Sequence, residues 1–415
     1  MKLVLSMCVL AVLAGVAFGE EGVLTPVAIE PSTIPSLGQS RGELIGYQFG
    51  KPGGDSGTVS SRAVMTTLQT MFSPIAVAID STEPDAVKPE VVRIDFTGEG
   101  KFADAVVARL KPSGEGRYEI LPTAGEVRRE ELTVPVMVSG VYYNMSQGPF
   151  RQMTLRVSTG LQGQCRFGDT VRTVRAIDLT GNLYIGGMTS VPFRRGALAG
   201  QPSGDMVVVA DANGSFERPS AVGLVGRNVF LDGKAYKLEI SEDGKRIKAQ
   251  ELEVQTGRIN LGDKPCQATL VSKDYIIQIQ RDKLGDAKGG PITLPVDRYA
   301  FLSYTQTDLK QREQTADDGL KAIATGSPTV LQLTGVGTSA AFDVEAGKTL
   351  EPAVGCPLEA TAEVRQTGRE TTFTLKVADR MGNRVENLTA GRAEPIVEVF
   401  DEKGEKIHSG KMAYG

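Results

Sequence analysis

Several carboxylates in this chain sit where they could hold a hard cation. Asp95, Thr97 and Glu99 alternate along "IDFTGEGKF" (94–102), with Gly100 next. That order matches the oxygen ligands at positions 1, 3 and 5 of a calcium loop and its glycine at 6. The core of the pattern recurs at Asp178 in "IDLTGNLY" and at Asp211 and Asn213 in "ADANGSF". Asp95, Thr97, Glu99, Asp178, Asp211 and Asn213 are therefore the calcium candidates. Position 12 from Asp95 is Val106, where a bidentate carboxylate is needed, and the later copies put Leu183 and Phe216 in the glycine's place. The competing chemistry is a turn. An Asp at a strand end accepts a hydrogen bond from the N–H two residues on, while Gly or Asn takes the unusual φ that reverses the chain. Asp-Gly and Asn-Gly pairs elsewhere in the sequence favour the turn, and no cofactor other than calcium is expected.

A second set could bind anions. Arg151, Arg156, Arg166, Arg172, Arg175, Arg194 and Arg195 face only Asp169 and Asp178, a local +5 in a chain of net charge −4. The planar guanidinium fork suits sulfate, carboxylate or phosphate, so Arg151, Arg156, Arg172, Arg175, Arg194 and Arg195 are candidates for docking an anionic glycan. Arg172 and Arg175 fall on opposite faces of one strand, which favours separate solvated faces. The overall charge excludes a dedicated nucleic-acid binder, which needs a strongly basic face.

Enzyme chemistry meets a shortage. The single histidine, His408, excludes multi-histidine metal sites, and any Ser-His-Asp or Cys-His arrangement would have to use it. Glycoside hydrolysis needs only two carboxyl groups about 5 to 10 Å apart. The 50 Asp and Glu residues allow such a pair without singling one out. There is no P-loop, and "GVGTSA" from Gly335 opens no βαβ unit. Absence of Trp counts against a sugar-stacking platform. Cys165, Cys266 and Cys356 contain no CxxC spacing, allow at most one intramolecular disulfide, and read as small buried apolar residues.

The elements that must position these residues begin with a leader. Lys2 precedes the apolar run "LVLSMCVLAVLAGVAF" and a small-residue exit at Ala17-Phe18-Gly19, which reads as a cleaved secretory signal over 1–19. No later stretch is long and apolar enough to span a bilayer. Residues 20–60 are rich in Pro, Gly, Ser and Thr and are expected to form a flexible leader.

Beyond them the grammar is β: short runs of Val, Ile, Leu, Phe, Tyr and Thr punctuated by Gly-containing turns. "VFLDGKAYKLEI" places Asp232-Gly233 between two apolar runs, a two-residue hairpin signal, while "ISEDGKRI" and "FDEKGEKI" suit turns closed by a left-handed Gly. "LEATAEV" and "TFTLKV" form a further hairpin, with Leu358, Ala360, Ala362 and Val364 facing a core together with Phe373, Leu375 and Val377. The expected fold is all-β: tandem β-sandwich or barrel-like modules over 61–200 and 201–304, a polar connector over 305–326, and an immunoglobulin-like sandwich over 327–415.

The copies "VVRIDFTGEGKF", "AIDLTGNLY" and "MVVVADANGSF", with "VFLDGKAYKLEISEDGKRI" and "ITLPVDRYAFLSY", resemble segments of secreted, multidomain, uncharacterised β-proteins of environmental bacteria. The resemblance spans about Val91 to Tyr304, with a looser immunoglobulin-like similarity beyond, and carries no catalytic residues over. In that group another Asp often follows the Asp-x-Asn-Gly element, whereas Ser215 and Leu183 stand here. The expectation is thus a secreted, non-catalytic scaffold or adhesion-like binding protein of the cell surface or periplasm, with an extracellular glycan or protein as partner. The alternatives are a carboxylate-dependent polysaccharide hydrolase and a calcium-stiffened adhesion module.

Overall fold

A computed structural model describes residues 21–31, 34, 64–68, 74–81, 89–129, 132–144, 151–179, 185–186, 189–194, 197–241, 244–262, 264–281, 290–308, 329–335, 340–355, 358–368, 370–388, 396–400 and 402–411. The signal expected over 1–19 lies outside them, as does Cys356.

The chain opens with β1 (Gly22–Ala28). A meander follows: β2 (Val64–Leu68), β3 (Ile75–Asp80), β4 (Val91–Asp95), β5 (Val106–Gly114), β6 (Arg117–Arg129), β7 (Leu132–Asn144) and β8 (Arg151–Phe167). Next come β9 (Thr170–Asp178), β10 (Phe193–Arg194), β11 (Ala197–Leu198), β12 (Met206–Val209), β13 (Ala221–Leu224), β14 (Asn228–Leu231), β15 (Lys234–Ile240) and β16 (Arg246–Leu252). Then β17 (Thr256–Ile259), β18 (Cys266–Val271), β19 (Ile276–Arg281), β20 (Ile292–Pro295), β21 (Asp297–Asp308), β22 (Thr329–Thr334), β23 (Phe342–Val344) and β24 (Thr349–Leu350). The last are β25 (Leu358–Thr367), β26 (Glu370–Asp379), β27 (Arg384–Leu388), β28 (Ile396–Phe400) and β29 (Lys406–Lys411). The fold is all-β and sandwich-like, as the turn grammar predicts.

Alternation of side chains along each strand builds its layers. β12 is buried on both faces: Met206 and Val208 enter one apolar cluster with Ile177, Val222 and Leu302, while Val207 and Val209 enter another with Val174, Val229 and Leu238. A central sheet containing β8, β9, β12 and β13 is therefore covered on both sides. A third cluster fills the meander around Val77, Ile94, Val136 and Leu155, and a fourth gathers Ile259, Leu270, Tyr299, Phe301 and Leu333. Within the meander Gly125 lies hard against the core, since a Cβ there would stand 2.2 Å from the Phe96 ring.

The turn chemistry follows the sequence closely. Leu231 pairs with Lys234 across Asp232-Gly233, whose φ values of 51° and 82° are those of a two-residue hairpin turn with both residues left-handed. Ile240 pairs with Ile247 and Gly244 is left-handed. β25 pairs with β26 as the expected hairpin, with Ala360 opposite Val377 and Val364 opposite Phe373. One residue of that hairpin departs from expectation: Val364 is 61% exposed and does not face a core.

Longer-range expectations need correcting. Gly22–Ala28 is not flexible leader but strand, pairing with β16 at Gly22 and Val23 and with β8 from Leu24 to Ala28. Leu24 and Ile29 are buried by it. Composition averaged over 20–60 hides seven residues that join a sheet. Strand pairing also crosses each expected module boundary. β9 pairs with β12 across the boundary set at 200, β21 continues to Asp308 inside the expected connector, and β22 pairs with β21 across the rest of it. β24 lies parallel to β17, joining Arg258 to Thr349. These ladders merge the regions read as separate modules.

Candidate functional site

The Asp turns are the most completely built polar features of the chain. At the end of β4, Asp95 Oδ1 accepts from the Thr97 N–H at 2.8 Å and its hydroxyl at 2.6 Å, and Oδ2 accepts from the N–H groups of Gly100 (2.8 Å) and Lys101 (3.2 Å). Beyond β12, Asp211 Oδ1 accepts from Asn213 N–H (2.9 Å) and Ser215 N–H (2.7 Å). In both, the glycine three residues on is left-handed, with φ of 73° at Gly98 and 82° at Gly214. Glu99 is exposed and pairs with Lys101 at 2.7 Å. Asp178 is buried at the end of β9, whereas Thr180 and Asn182 lie outside the described residues.

A further copy of the spacing anchors a turn near the C-terminal end of the chain. Asp379 and Gly382 in "ADRMGN" repeat the Asp-x-x-Gly of "ADANGS". Asp379 is 3% exposed; its Oδ1 accepts from the N–H groups of Met381 (2.9 Å) and Asn383 (2.8 Å). Its Oδ2 accepts from the Gly355 N–H at 3.0 Å and the Asn383 side-chain amide at 2.7 Å. The signal that could have found it is the shared Ala-Asp-x-x-Gly string.

The electrostatic sense of these sites follows from the donors. A carboxylate offers about four lone-pair positions. Asp95 and Asp379 fill theirs with protein donors, so a calcium ion would have to displace N–H groups that point their positive ends at the same oxygens. Among the described residues no three His, Cys, Asp or Glu side chains gather in an arrangement that could hold a metal. What the arrangement does chemically is pin the chain after a strand.

Two of the candidate arginines face opposite sides of the central sheet. Arg172 donates to Asp232 Oδ2 at 3.2 Å on the side of the central sheet that also buries Cys165. Arg175 lies on the opposite side, donating to Gln162 Oε1 at 2.6 Å with its guanidinium 3.9 Å from the centre of the Phe216 ring. Burial lowers the Arg175 pKa from its usual value. Arg156 pairs with Ser139 on β7, Arg151 with Asn144, and Arg194 with Ala197 on β11, while Arg195 lies outside the described residues.

A cavity of about 330 Å³ lies between Asn260–Gly262 and Glu351–Val354, with Arg380 at its rim. Asn260 donates to Glu351 Oε1 at 3.0 Å, so two of its polar groups satisfy each other. Glu351 is its one carboxylate, whereas hydrolysis by a carboxylate pair requires two. Cys165 and Cys266 are both buried free thiols in separate clusters; burial pushes Cys165 up to about 11 and also raises Cys266. His408 is exposed on β29 opposite Val399. Among the described residues no helix is long and apolar enough to cross a membrane.

Fold and site together define an all-β, sandwich-like protein whose strands end in Asp-anchored turns. No family model, curated protein or solved structure matches the chain.

Proposed function

We propose that the protein is an exported, non-catalytic scaffold or binding module of the cell surface or periplasm, whose β frame displays loops and strand edges to an extracellular glycan or protein. The observation that carries this reading is the use made of buried carboxylates. Asp95 holds four donors of its own turn, and Asp379 holds three of its own turn together with the Gly355 N–H, so both carboxylates are spent on stiffening the frame. The place of β1 supports export, because Gly22 enters the sheet just beyond the exit expected at Gly19. Removal of the leader there spares every described strand.

The test is expression with the chain's own N-terminus in a bacterial host, followed by fractionation and mass spectrometry. The expected product begins at Glu20 and is found outside the cytoplasm. Full-length protein confined to the cytoplasm would overturn export, and release of reducing sugar from acidic polysaccharides by the purified chain would overturn the non-catalytic assignment.

A further inference from the structure

The β25–β26 hairpin is ten residue pairs long, from Leu358 opposite Asp379 to Thr367 opposite Glu370. Among the described residues it is tied to the sheet at its base, through Ala378 opposite Arg384. Among the described residues no strand pairs with the outer edge of β25. A hairpin of two strands is marginal alone, and an open edge presents a row of unpaired N–H and C=O groups. Here that edge is long, its residues from Glu363 to Gly368 are exposed, and Val364 is 61% exposed.

The sequence of β25 is complementary to itself. In a two-residue hairpin the closing pair, Thr367 and Glu370, exchanges both hydrogen bonds. Counting back by twos, the backbone groups of Gln366, Val364, Ala362, Ala360 and Leu358 then turn outward. Two β25 strands laid antiparallel about Ala362 match those positions: Leu358 opposite Gln366, Ala360 opposite Val364, Ala362 opposite its own copy. The same register sets Glu359 opposite Arg365 twice. Moving the centre to Thr361 sets Glu359 against Glu363, and moving it to Glu363 sets that residue against itself, both like-charge contacts that destabilise a sheet. A centre between residues would put apolar positions opposite polar ones. A centre at Val364 would also set Glu363 opposite Arg365, but it pairs only Ala362, Val364 and Gln366 of the outward positions and draws Glu363 away from Lys376, whereas the Ala362 centre pairs all five; length, charge and pattern together favour that register.

We propose that the outer edge of β25 pairs with the same edge of a second copy, about a two-fold axis at Ala362. The two hairpins become one four-stranded sheet, closed rather than open-ended because the contact is isologous. Ala360, Ala362 and Val364 of both copies fall on one face of it, beside Phe373, Leu375 and Val377 by register.

The test is sedimentation equilibrium of the chain from Glu20, alongside Glu359→Arg, Arg365→Glu and the double variant. All these changes fall on exposed positions, and Glu359 otherwise only faces Arg380 at 3.9 Å. The parent is expected to dimerise reversibly, each single variant to raise the dissociation constant about tenfold or more, and the double variant to return within about threefold of the parent. A parent that stays monomeric up to about 100 μM would overturn the proposal. So would a dimer indifferent to all three variants, or a double variant weaker than either single one.

Discussion

Replacing Asp379 by Ala removes the acceptor for four donors at once, and the cost follows from where those donors lie. The N–H groups of Gly355 and Asn383 and the Asn383 amide are buried; that of Met381 is partly so. A buried donor left without an acceptor costs about 1–3 kcal/mol, and relaxation or an entering water recovers part of it. The expected loss is about 4 kcal/mol, a large share of the roughly 5–15 kcal/mol that holds a domain folded. Asp211→Ala is the internal control: it frees two N–H groups on a half-buried turn and should cost about 1 kcal/mol, the scale of a lost helix cap. Urea denaturation measures both, with the midpoint falling and the slope unchanged. Equal losses for the two variants, or a loss below about 1 kcal/mol for Asp379→Ala, would refute the argument that these carboxylates are turn anchors. The parent should also unfold at the same temperature in calcium and in chelator. A ligand at about a hundred times its dissociation constant adds about 2.7 kcal/mol, so a rise of several degrees would reveal ligation.

Gly125→Ala should cost about 1–3 kcal/mol, because the new Cβ meets the Phe96 ring at 2.2 Å, and thermal unfolding should show a lowered midpoint. Glu239 lies between Lys237 and Lys248, whose hydrogen bonds hold its carboxyl down to about 2. A depressed carboxyl stabilises the fold above its unfolded value and loses that contribution as pH falls toward the folded one. Glu239→Gln should therefore lose about 0.5 kcal/mol at pH 7, the scale of exposed pairs, and the gap to the parent should shrink as urea midpoints are followed from about pH 4.5 to about pH 2. Cys165, buried and raised to about 11, should resist iodoacetamide at pH 8 in the folded chain and label fully in urea. Rapid labelling without denaturant would contradict its burial.

What the sequence disclosed was local. Asp232-Gly233 specifies its hairpin because both turn residues must accept positive φ, and the register of β25 on β26 follows from the short turn. The Asp-x-x-Gly strings could be seen at Asp95, Asp178 and Asp211, and the structure shows the carboxylates of Asp95 and Asp211 accepting backbone N–H groups. The copy at Asp379 is less legible because Met381 stands where the other copies carry Thr97, Thr180 or Asn213. Non-local pairing left no such mark. Nothing in "TGRI" announces a parallel partner at Thr349, and nothing near Arg172 announces Asp232. An arginine's partner depends on which strand becomes its neighbour, so a cluster counted along the chain separated onto two sides of one sheet.

The position of β1 bears on the order in which the molecule can be assembled. Its partners are Thr159–Gly163 on β8 and, at its first residues, Arg246 and Ile247 on β16. During synthesis β1 emerges before any of them. At roughly 5–20 residues per second, the interval between Gly22 and Ile247 is on the order of 10 to 45 s. Until Gly163 is made Leu24 has no ladder partner, and until Ile247 is made the cluster it enters is incomplete. The earliest strand made thus waits for β8, and its first two residues for β16, and a chain held unfolded until Ile247 has cleared the ribosome or the membrane would avoid trapping β1 on a wrong neighbour.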